Sequence, residues 1–199
     1  MRSEELDLQR YDTDKIRNGY LRWYDAAIGD AWSRVGAVLE LGVHHGGSLE
    51  LWRDYFPAAR IAGVDADISG ARIHDQTRIE LFQGQQNDAT FLHGVARRVA
   101  PEGFDVIIDD ASHLAKPSEA SFRALYDAHL KKDGWYVIED WATGYLPDWP
   151  DGRKPSRWRT RSHEAGMVGW IKRLIDDEVR GRLAEMTITP GVVVIRKGC

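Results

Sequence analysis

The chain has 199 residues, with 27 Lys and Arg against 31 Asp and Glu, so its formal net charge is −4. This length suits one domain, and the acidic balance disfavours a dedicated nucleic-acid binder. The hydrophobic fraction of 43% supports a packed core. No window approaches 18 consecutive apolar residues, so no membrane span is expected.

The N-terminal residues are charged and lack the apolar run of a secretory signal peptide. The only cysteine is Cys199, which excludes a disulfide framework and a cysteine-rich zinc site. These features predict a cytoplasmic protein.

Residues 1–34 form a predicted N-terminal helical segment. Aromatic and apolar side chains recur there at spacings of three and four, namely Tyr20, Trp23, Tyr24, Ala27 and Ile28. Residues 37–41 are almost wholly apolar and end at Gly42, a pattern typical of a fully buried parallel strand.

Strand and helix signals alternate after this first strand. Further strands are predicted at residues 61–64, 79–82, 104–108 and 135–138. Helices are predicted at 48–56, 88–99, 118–130 and 167–175, and Asp133-Gly134 is a predicted turn. Residues 186–189 and 192–196, joined by Pro190-Gly191, predict a closing β-hairpin.

Alternating strands and helices predict an α/β fold with a doubly wound, Rossmann-like sheet of seven strands. The sheet is expected to be mostly parallel, with a C-terminal antiparallel β-hairpin. That hairpin fits a class I methyltransferase better than a dehydrogenase, so residues 1–199 are predicted to form a single class I methyltransferase domain. Ligands of such sheets bind beyond the carboxyl ends of the strands.

A glycine-rich loop follows the first predicted strand, from Glu40 to Ser48. Glycines there let a ligand approach the backbone, and the next helix offers free N–H groups. His44 occupies the place of the second glycine of the dinucleotide fingerprint. The loop alone is also compatible with a simple tight turn, but Asp65, at the end of the second strand, favours a cofactor that contains a ribose.

Four acids follow two later strands: Asp109 and Asp110, then Glu139 and Asp140. A right-handed crossover should make these strands neighbours, so the acids should meet at one sheet edge. Carboxylates that close repel each other unless a cation or protons intervene, and oxygen ligands suit Mg²⁺ or another divalent cation of the same preference. The alternative is that some of them cap helices or hold lysines.

His113 lies three residues after Asp110, where a histidine could take a proton near neutral pH. Single histidines are more often structural, and the neighbouring acids favour the catalytic interpretation here.

Residues 141–162 form a predicted lid-like loop that is irregular and rich in Pro and Arg, with five cations within residues 153–161. It is either a solvated loop or a lid over an acidic or glycosylated substrate, with Trp149 or Trp158 stacking on a ring.

The motifs together resemble those of a known family. Residues 40–52, Asp-Asp-Ala-Ser-His at 109–113 and Glu-Asp-Trp-Ala-Thr at 139–143 carry the resemblance. The sequence is similar to the metal- and S-adenosylmethionine-dependent sugar O-methyltransferases of macrolide and related antibiotic pathways, of the mycinamicin and tylosin type. Thr-Asp-Lys at 13–15 and the segment 189–198 extend the likeness over nearly the whole chain.

The resemblance implies that Asp110, Glu139 and Asp140 bind the metal, and that His113 is the general base, with Asp110 beside it in catalysis. It also implies a set of cofactor contacts, namely Thr13, Lys15, Glu40, Gly42, Ser48, Asp65, Gln85, Gln86, Asp88 and Asp109. The sequence departs from the family at Gln85, where an acid is usual, and at Ala111, where glycine is frequent.

The predicted function is therefore Mg²⁺-dependent O-methylation of a vicinal diol on a sugar, within a natural-product glycoside. Three alternatives stay open: a catechol-type O-methyltransferase, an NAD-dependent oxidoreductase and a catalytically silent cofactor-binding protein. The expected partners are a small glycoside or diol and further copies of the chain, without nucleic acid or membrane.

Overall fold

A computed structural model of the protein describes residues 1–154, 162–179 and 183–198. They contain one seven-stranded sheet of order β3-β2-β1-β4-β5-β7-β6. Its strands are β1 (Ala37–Leu41), β2 (Arg60–Asp65), β3 (Ile79–Gln83), β4 (Phe104–Asp109), β5 (Leu130–Glu139), β6 (Leu183–Ile188) and β7 (Val192–Lys197). Strands β1 to β5 pair in parallel, whereas β7 pairs antiparallel with both β5 and β6.

The α-helices are α1 (Asp14–Arg17), α2 (Leu21–Ile28), α3 (Gly47–Tyr55), α4 (Ala89–Val99), α5 (Ala115–His129) and α6 (Gly166–Val179). Within the described ranges, four 3₁₀ helices cover Arg2–Glu5, Leu8–Arg10, Gly29–Arg34 and Trp141–Tyr145. None of the helices described is long and apolar enough to cross a membrane.

Two hydrophobic layers cover the two faces of the sheet. Leu92 of α4, Leu125 of α5 and Trp170 of α6 pack on one face. Tyr24 of α2 and Trp52 of α3 pack on the other. Helices on both faces of a mostly parallel sheet, closed by an antiparallel hairpin, confirm the predicted fold class.

One local prediction differs from the structure and another gains detail from it. The predicted N-terminal helical segment consists of short α and 3₁₀ turns, and glycines with positive φ at Gly19 and Gly29 lie where these turns end. The predicted turn at Asp133-Gly134 lies inside β5, where Asp133 takes a φ of 61° and the pairing with β4 shifts register. The strand is therefore irregular at this point, and it continues beyond it to Glu139.

The carboxyl ends of β1 and β4 lie side by side, with Leu41 opposite Asp109. Strand β5 follows β4 in the sheet, with Ile138 opposite Asp109. The predicted glycine loop and both pairs of acids are thereby brought to one edge of the sheet.

Candidate active site

A cleft of about 1040 Å³ opens at this edge of the sheet. Many of the predicted site residues line it: Thr13, Gly42, Ser48, Asp65, Gln85, Gln86, Asp110, His113 and Asp140. The other predicted site residues lie outside its wall: Lys15, Glu40, Asp88, Asp109 and Glu139.

The glycine loop forms one wall of the cleft through close backbone approaches. A Cβ atom at Gly42 would lie 2.1 Å from the carbonyl oxygen of Asp110, and one at Gly47 would lie 2.2 Å from that of Asp12. Gly46, with a φ of 90°, is the residue from which α3 begins. Only glycine fits these positions. The loop that they form, called the cofactor cradle below, places the start of α3 against the cleft, where the free N–H groups of the helix would favour an anionic group.

Asp65 ends β2 at the rim of the cleft. Its Oδ2 accepts hydrogen bonds from the backbone N–H of Val43 at 2.7 Å and of His44 at 3.1 Å, and its Oδ1 accepts one from Asp67 at 3.1 Å. Burial alone would raise the pKa of Asp65, but these backbone hydrogen bonds hold it below its usual value. Asp65 is therefore a fixed anionic acceptor, as two ribose hydroxyls would require.

A second group of side chains lies in the same cleft. Asp110 directly follows β4 and Asp140 directly follows β5. The Nε2 atom of His113 lies 4.0 Å from Oδ1 of Asp110 and 3.9 Å from Oδ2 of Asp140. One ligand atom from each of the three lies within 4.8 Å of the others, and all three are partly exposed. Two carboxylates with open positions suit a divalent, oxygen-preferring cation, so this group fits Mg²⁺.

The backbone conformations of Asp140 and His113 determine where their side chains lie. Asp140 and His113 have φ values of 52° and 51°, in the left-handed region that few residues other than glycine adopt. Asp140 is held there by a 2.8 Å hydrogen bond from its N–H to the carbonyl of Gly191. The Tyr20 hydroxyl donates to Oδ1 of Asp140, which orients the carboxylate.

Beneath the cleft lies a buried ion cluster centred on Lys15, a fully buried residue. Its Nζ lies 2.5 Å from Oδ2 of Asp110, 2.8 Å from Oε2 of Glu139 and 3.2 Å from Oε1 of Glu40. The Tyr24 hydroxyl also donates to Glu139. Lys15 and Tyr24 of the N-terminal segment thus bind the acids on the side that faces away from the cleft.

Three carboxylates in this cluster surround one ammonium group. Burial raises the pKa of Glu139 to about 8 and also raises the pKa of Glu40. The surrounding acids raise the pKa of Lys15 well above its usual value, although burial opposes this. At neutral pH Glu139 is therefore held largely protonated, which limits the negative charge around Lys15, and a cation bound at Asp110 would favour its ionised form.

Several predicted site residues have structural partners instead of a place in the cleft. Asp109 is buried and accepts hydrogen bonds from Gln86 and Ser121, at 3.1 and 2.9 Å. Glu40 accepts hydrogen bonds from Ser48 and Trp52, at 2.7 and 3.1 Å.

Asp88 caps α4 by accepting from the N–H of Phe91 at 3.0 Å. Glu139 faces Lys15, and the structure does not bring it into the group formed by Asp110, His113 and Asp140. Its direct ligation of a metal stays a prediction.

Sequence reasoning gave no role to several residues that the structure places at the site. The hydroxyls of Tyr20 and Tyr24 bind Asp140 and Glu139, and the four-residue spacing of these tyrosines was the available signal. Asp67, two residues after Asp65, also lines the cleft, as do Asp12 and Arg17.

The predicted lid-like loop is described in part. Trp141 opens it, and its indole N–H donates to the carbonyl of Thr189 at 2.8 Å. Of the arginine-rich stretch, the structure describes Arg153 and Lys154, and the predicted stacking residue Trp158 lies outside the described residues. A lid over the substrate stays a prediction.

The sheet order and the cleft at its carboxyl edge define a Rossmann-like methyltransferase fold. The chain is similar to curated O-methyltransferases of antibiotic sugars. It is 39% identical over 178 residues to mycinamicin VI 2''-O-methyltransferase of Micromonospora griseorubida, covering 84% of this chain and 42% of that protein. It is 42% identical over 179 residues to 8-demethyl-8-(2-methoxy-alpha-L-rhamnosyl)-tetracenomycin-C 3'-O-methyltransferase of Streptomyces olivaceus, covering 84% of this chain and 43% of that protein.

A solved structure agrees with these relatives. The MycE methyltransferase of the mycinamycin pathway, in complex with Mg, SAH and mycinamycin VI, superposes with a TM-score of 0.74 and 32% identity. The match covers 89% of this chain and 48% of that chain. No protein-family model matches the chain. The chain spans less than half the length of the curated relatives it matches, and these relatives confirm the resemblance to antibiotic sugar O-methyltransferases.

Proposed function

We propose that the chain is an S-adenosylmethionine- and Mg²⁺-dependent O-methyltransferase that acts on a vicinal-diol hydroxyl of a sugar, within a natural-product glycoside. Its main support is the grouping of Asp110, His113 and Asp140 in the same cleft as Asp65 and the glycine loop. The relatives named above act on glycosylated antibiotics, and MycE binds Mg, SAH and mycinamycin VI.

When bound, S-adenosylmethionine supplies an activated methyl group, and the divalent cation lowers the pKa of a hydroxyl beside it. Asp110 and Asp140 would hold the cation. Gly42, Ser48 and Asp65 would hold the cofactor, with Asp65 accepting from the ribose hydroxyls. Thr13 and Gln85 also line the cleft and extend this contact surface.

His113 takes the proton in this proposal. Its imidazole is partly exposed, and Nε2 faces the two carboxylates without a close hydrogen bond to either, at 4.0 and 3.9 Å. A hydroxyl placed among these groups would be within reach of Nε2. The chain's contribution is therefore alignment of the oxygen with the methyl group and removal of its proton.

The cleft also bears on the kind of diol. No Trp, Tyr or Phe is present among the described residues that line it, whereas acids, histidines and glycines are abundant. Asp110, Ser112 and Asp140 in this wall offer hydrogen-bond partners to sugar hydroxyls, and a catechol stays the alternative acceptor. Homo-oligomerisation and a cytoplasmic location stay predictions.

Removal of metal tests the reaction directly. Excess chelator is expected to abolish methyl transfer to a panel of sugar glycosides, and Mg²⁺ should restore it, with formation of S-adenosylhomocysteine as the measurement. The panel should also contain catechols. If catechols are methylated in preference to the glycosides, the acceptor is an aromatic diol and not a sugar. Full turnover in excess chelator would mean that the acids are structural.

Two variants distinguish the roles of Glu139, the last residue of β5, and Asp140, which follows it. Asp140→Asn should weaken Mn²⁺ binding by calorimetry by more than about tenfold, because it removes a charged ligand, and it should abolish activity while cofactor still binds. Glu139→Gln should weaken Mn²⁺ binding less, since its carboxylate faces Lys15. Equal losses in both variants would show that Glu139 ligates the metal directly.

The cofactor site is tested at the end of β2. Asp65→Ala should weaken S-adenosylhomocysteine binding by about 1.5–3 kcal/mol, the usual contribution of a hydrogen bond to a charged group. Asp75→Ala is the matched control, because it removes the same group from an exposed carboxylate that does not line the cleft, and it should leave the affinity unchanged. Calorimetry measures both, and the assignment of Asp65 fails if its variant binds as tightly as the unmodified protein.

A further inference from the structure

The backbone of His113 requires support from outside its own loop. Its φ of 51° is uncommon for a residue with a side chain. Such conformations persist when surrounding contacts determine them. The conformation also directs the imidazole, since Nε2 reaches Asp110 and Asp140 from it. The contacts that hold the backbone of His113 therefore determine the direction of its imidazole, the proposed base.

Two side chains of the segment after β5 hold that peptide. The Thr143 hydroxyl donates to the carbonyl oxygen of His113 at 3.1 Å, and the Trp149 indole N–H donates to the same oxygen at 3.0 Å. The Trp149 and His113 rings also lie 6.0 Å apart between centroids. Neither Thr143 nor Trp149 lines the cleft. Their polar groups therefore face the His113 loop and not the cleft.

The segment that carries these donors is itself anchored at several points. Trp141 binds the carbonyl of Thr189, and the N–H of Arg153 donates to the carbonyl of Gly144 at 3.0 Å. A carboxylate oxygen of Asp151 accepts from the N–H of Ala115, the first residue of α5, at 2.9 Å. The segment is thus fastened to the hairpin on one side and to the loop of His113 on the other.

We propose that Thr143 and Trp149 are positioning residues, which hold the His113 backbone in its left-handed conformation and so aim the imidazole at Asp110 and Asp140. This inference rests on the proposed function, in which His113 takes the proton. Without the two donors, the peptide after His113 is free to turn and φ can return to negative values. The imidazole would then leave the acids while the cofactor cradle and the carboxylates stay in place.

The test uses variants that keep shape and remove the donors, namely Thr143→Val and Trp149→Phe, singly and together. The double variant should lower kcat by up to about 10²-fold, the usual effect of a displaced catalytic group. KM for the acceptor and the affinity for S-adenosylhomocysteine should change less than about twofold. Trp135→Phe is the control, because it makes the same side-chain change in β5, opposite Val106 and Arg196 and away from the segment that carries Thr143 and Trp149.

A double-mutant cycle with His113→Ala distinguishes a positioning role of Thr143 and Trp149 from any other role of these residues. In that background the double variant should have no further effect on the rate, since the base it positions is absent. A further loss of similar size would overturn the inference, because Thr143 and Trp149 would then act independently of His113.

The crystal structure of the double variant gives a readout that does not depend on activity. We expect a negative φ at His113 and an imidazole turned away from Asp110 and Asp140. An unchanged imidazole together with an unchanged rate would overturn the inference. A displaced imidazole with an unchanged rate would support the positioning role and overturn His113 as the base.

Discussion

Replacement of His113 by alanine is expected to slow the chemical step by roughly 10²–10⁴-fold, the usual contribution of a positioned general base. The expectation follows from the position of Nε2, which faces both Asp110 and Asp140 at the edge of the cleft. Folding and cofactor binding should be nearly intact, because the imidazole of His113 faces Asp110 and Asp140 and is not one of the proposed cofactor contacts. Single-turnover transfer from S-adenosylmethionine measures the effect on chemistry alone.

His45→Ala is the control for this variant. His45 lines the same cleft but lies beside Asp12, with its Nδ1 3.4 Å from that carboxylate. Its loss should leave the chemical step within about threefold of the unmodified protein, as expected for a group that moves no proton. If His113→Ala keeps more than about a tenth of the rate, the proton acceptor is another group, and Asp110 is the next candidate.

The sheet could be predicted because its strands carry strong local signals. Residues 37–41 are apolar apart from Glu40 and are buried on both faces, as a central parallel strand requires, and they form β1 with the predicted bounds. The Pro190-Gly191 turn similarly marks the hairpin that pairs β6 with β7. The N-terminal segment lacked such a signal, since its helical spacing did not show that glycines would divide it.

The sequence was sufficient to predict where the site lies in the sheet, but not which of its acidic side chains face the cleft. Parallel neighbours bring Asp110 and Asp140 to one sheet edge, which the order of elements already implies. The last residue of each strand, Asp109 or Glu139, instead points into the protein. A pair of adjacent acids in a sequence does not show which member is exposed, because that depends on the register of the strand end.

The partners of the acids are set by tertiary packing. Lys15 lies 95 residues from Asp110 and 124 residues from Glu139 along the chain. No spacing in the sequence links residues so far apart. The family resemblance placed Lys15 at the cofactor, whereas the structure places its ammonium group beneath the cleft, among three carboxylates.

Replacement of Lys15 by methionine is expected to destabilise the protein strongly. The change keeps the length of the side chain and removes the cation, so Glu40, Asp110 and Glu139 lose their shared partner. Removal of one partner from a buried ion pair costs about 3–5 kcal/mol, because a charge is left uncompensated. For a chain of this size the melting temperature should fall by roughly 6–20 °C. Thermal unfolding in excess chelator measures this effect without bound metal.

Mg²⁺ should recover part of the stability lost in this variant, because a cation at Asp110 and Asp140 reduces the negative charge that Lys15 balanced. The gain in melting temperature on adding Mg²⁺ should therefore be larger for Lys15→Met than for the unmodified protein. Lys131→Met is the control, since its ion pair with Asp105 is partly exposed and contributes about 1 kcal/mol or less. Equal melting temperatures for Lys15→Met and Lys131→Met would mean that the buried acids are held protonated and need no cation.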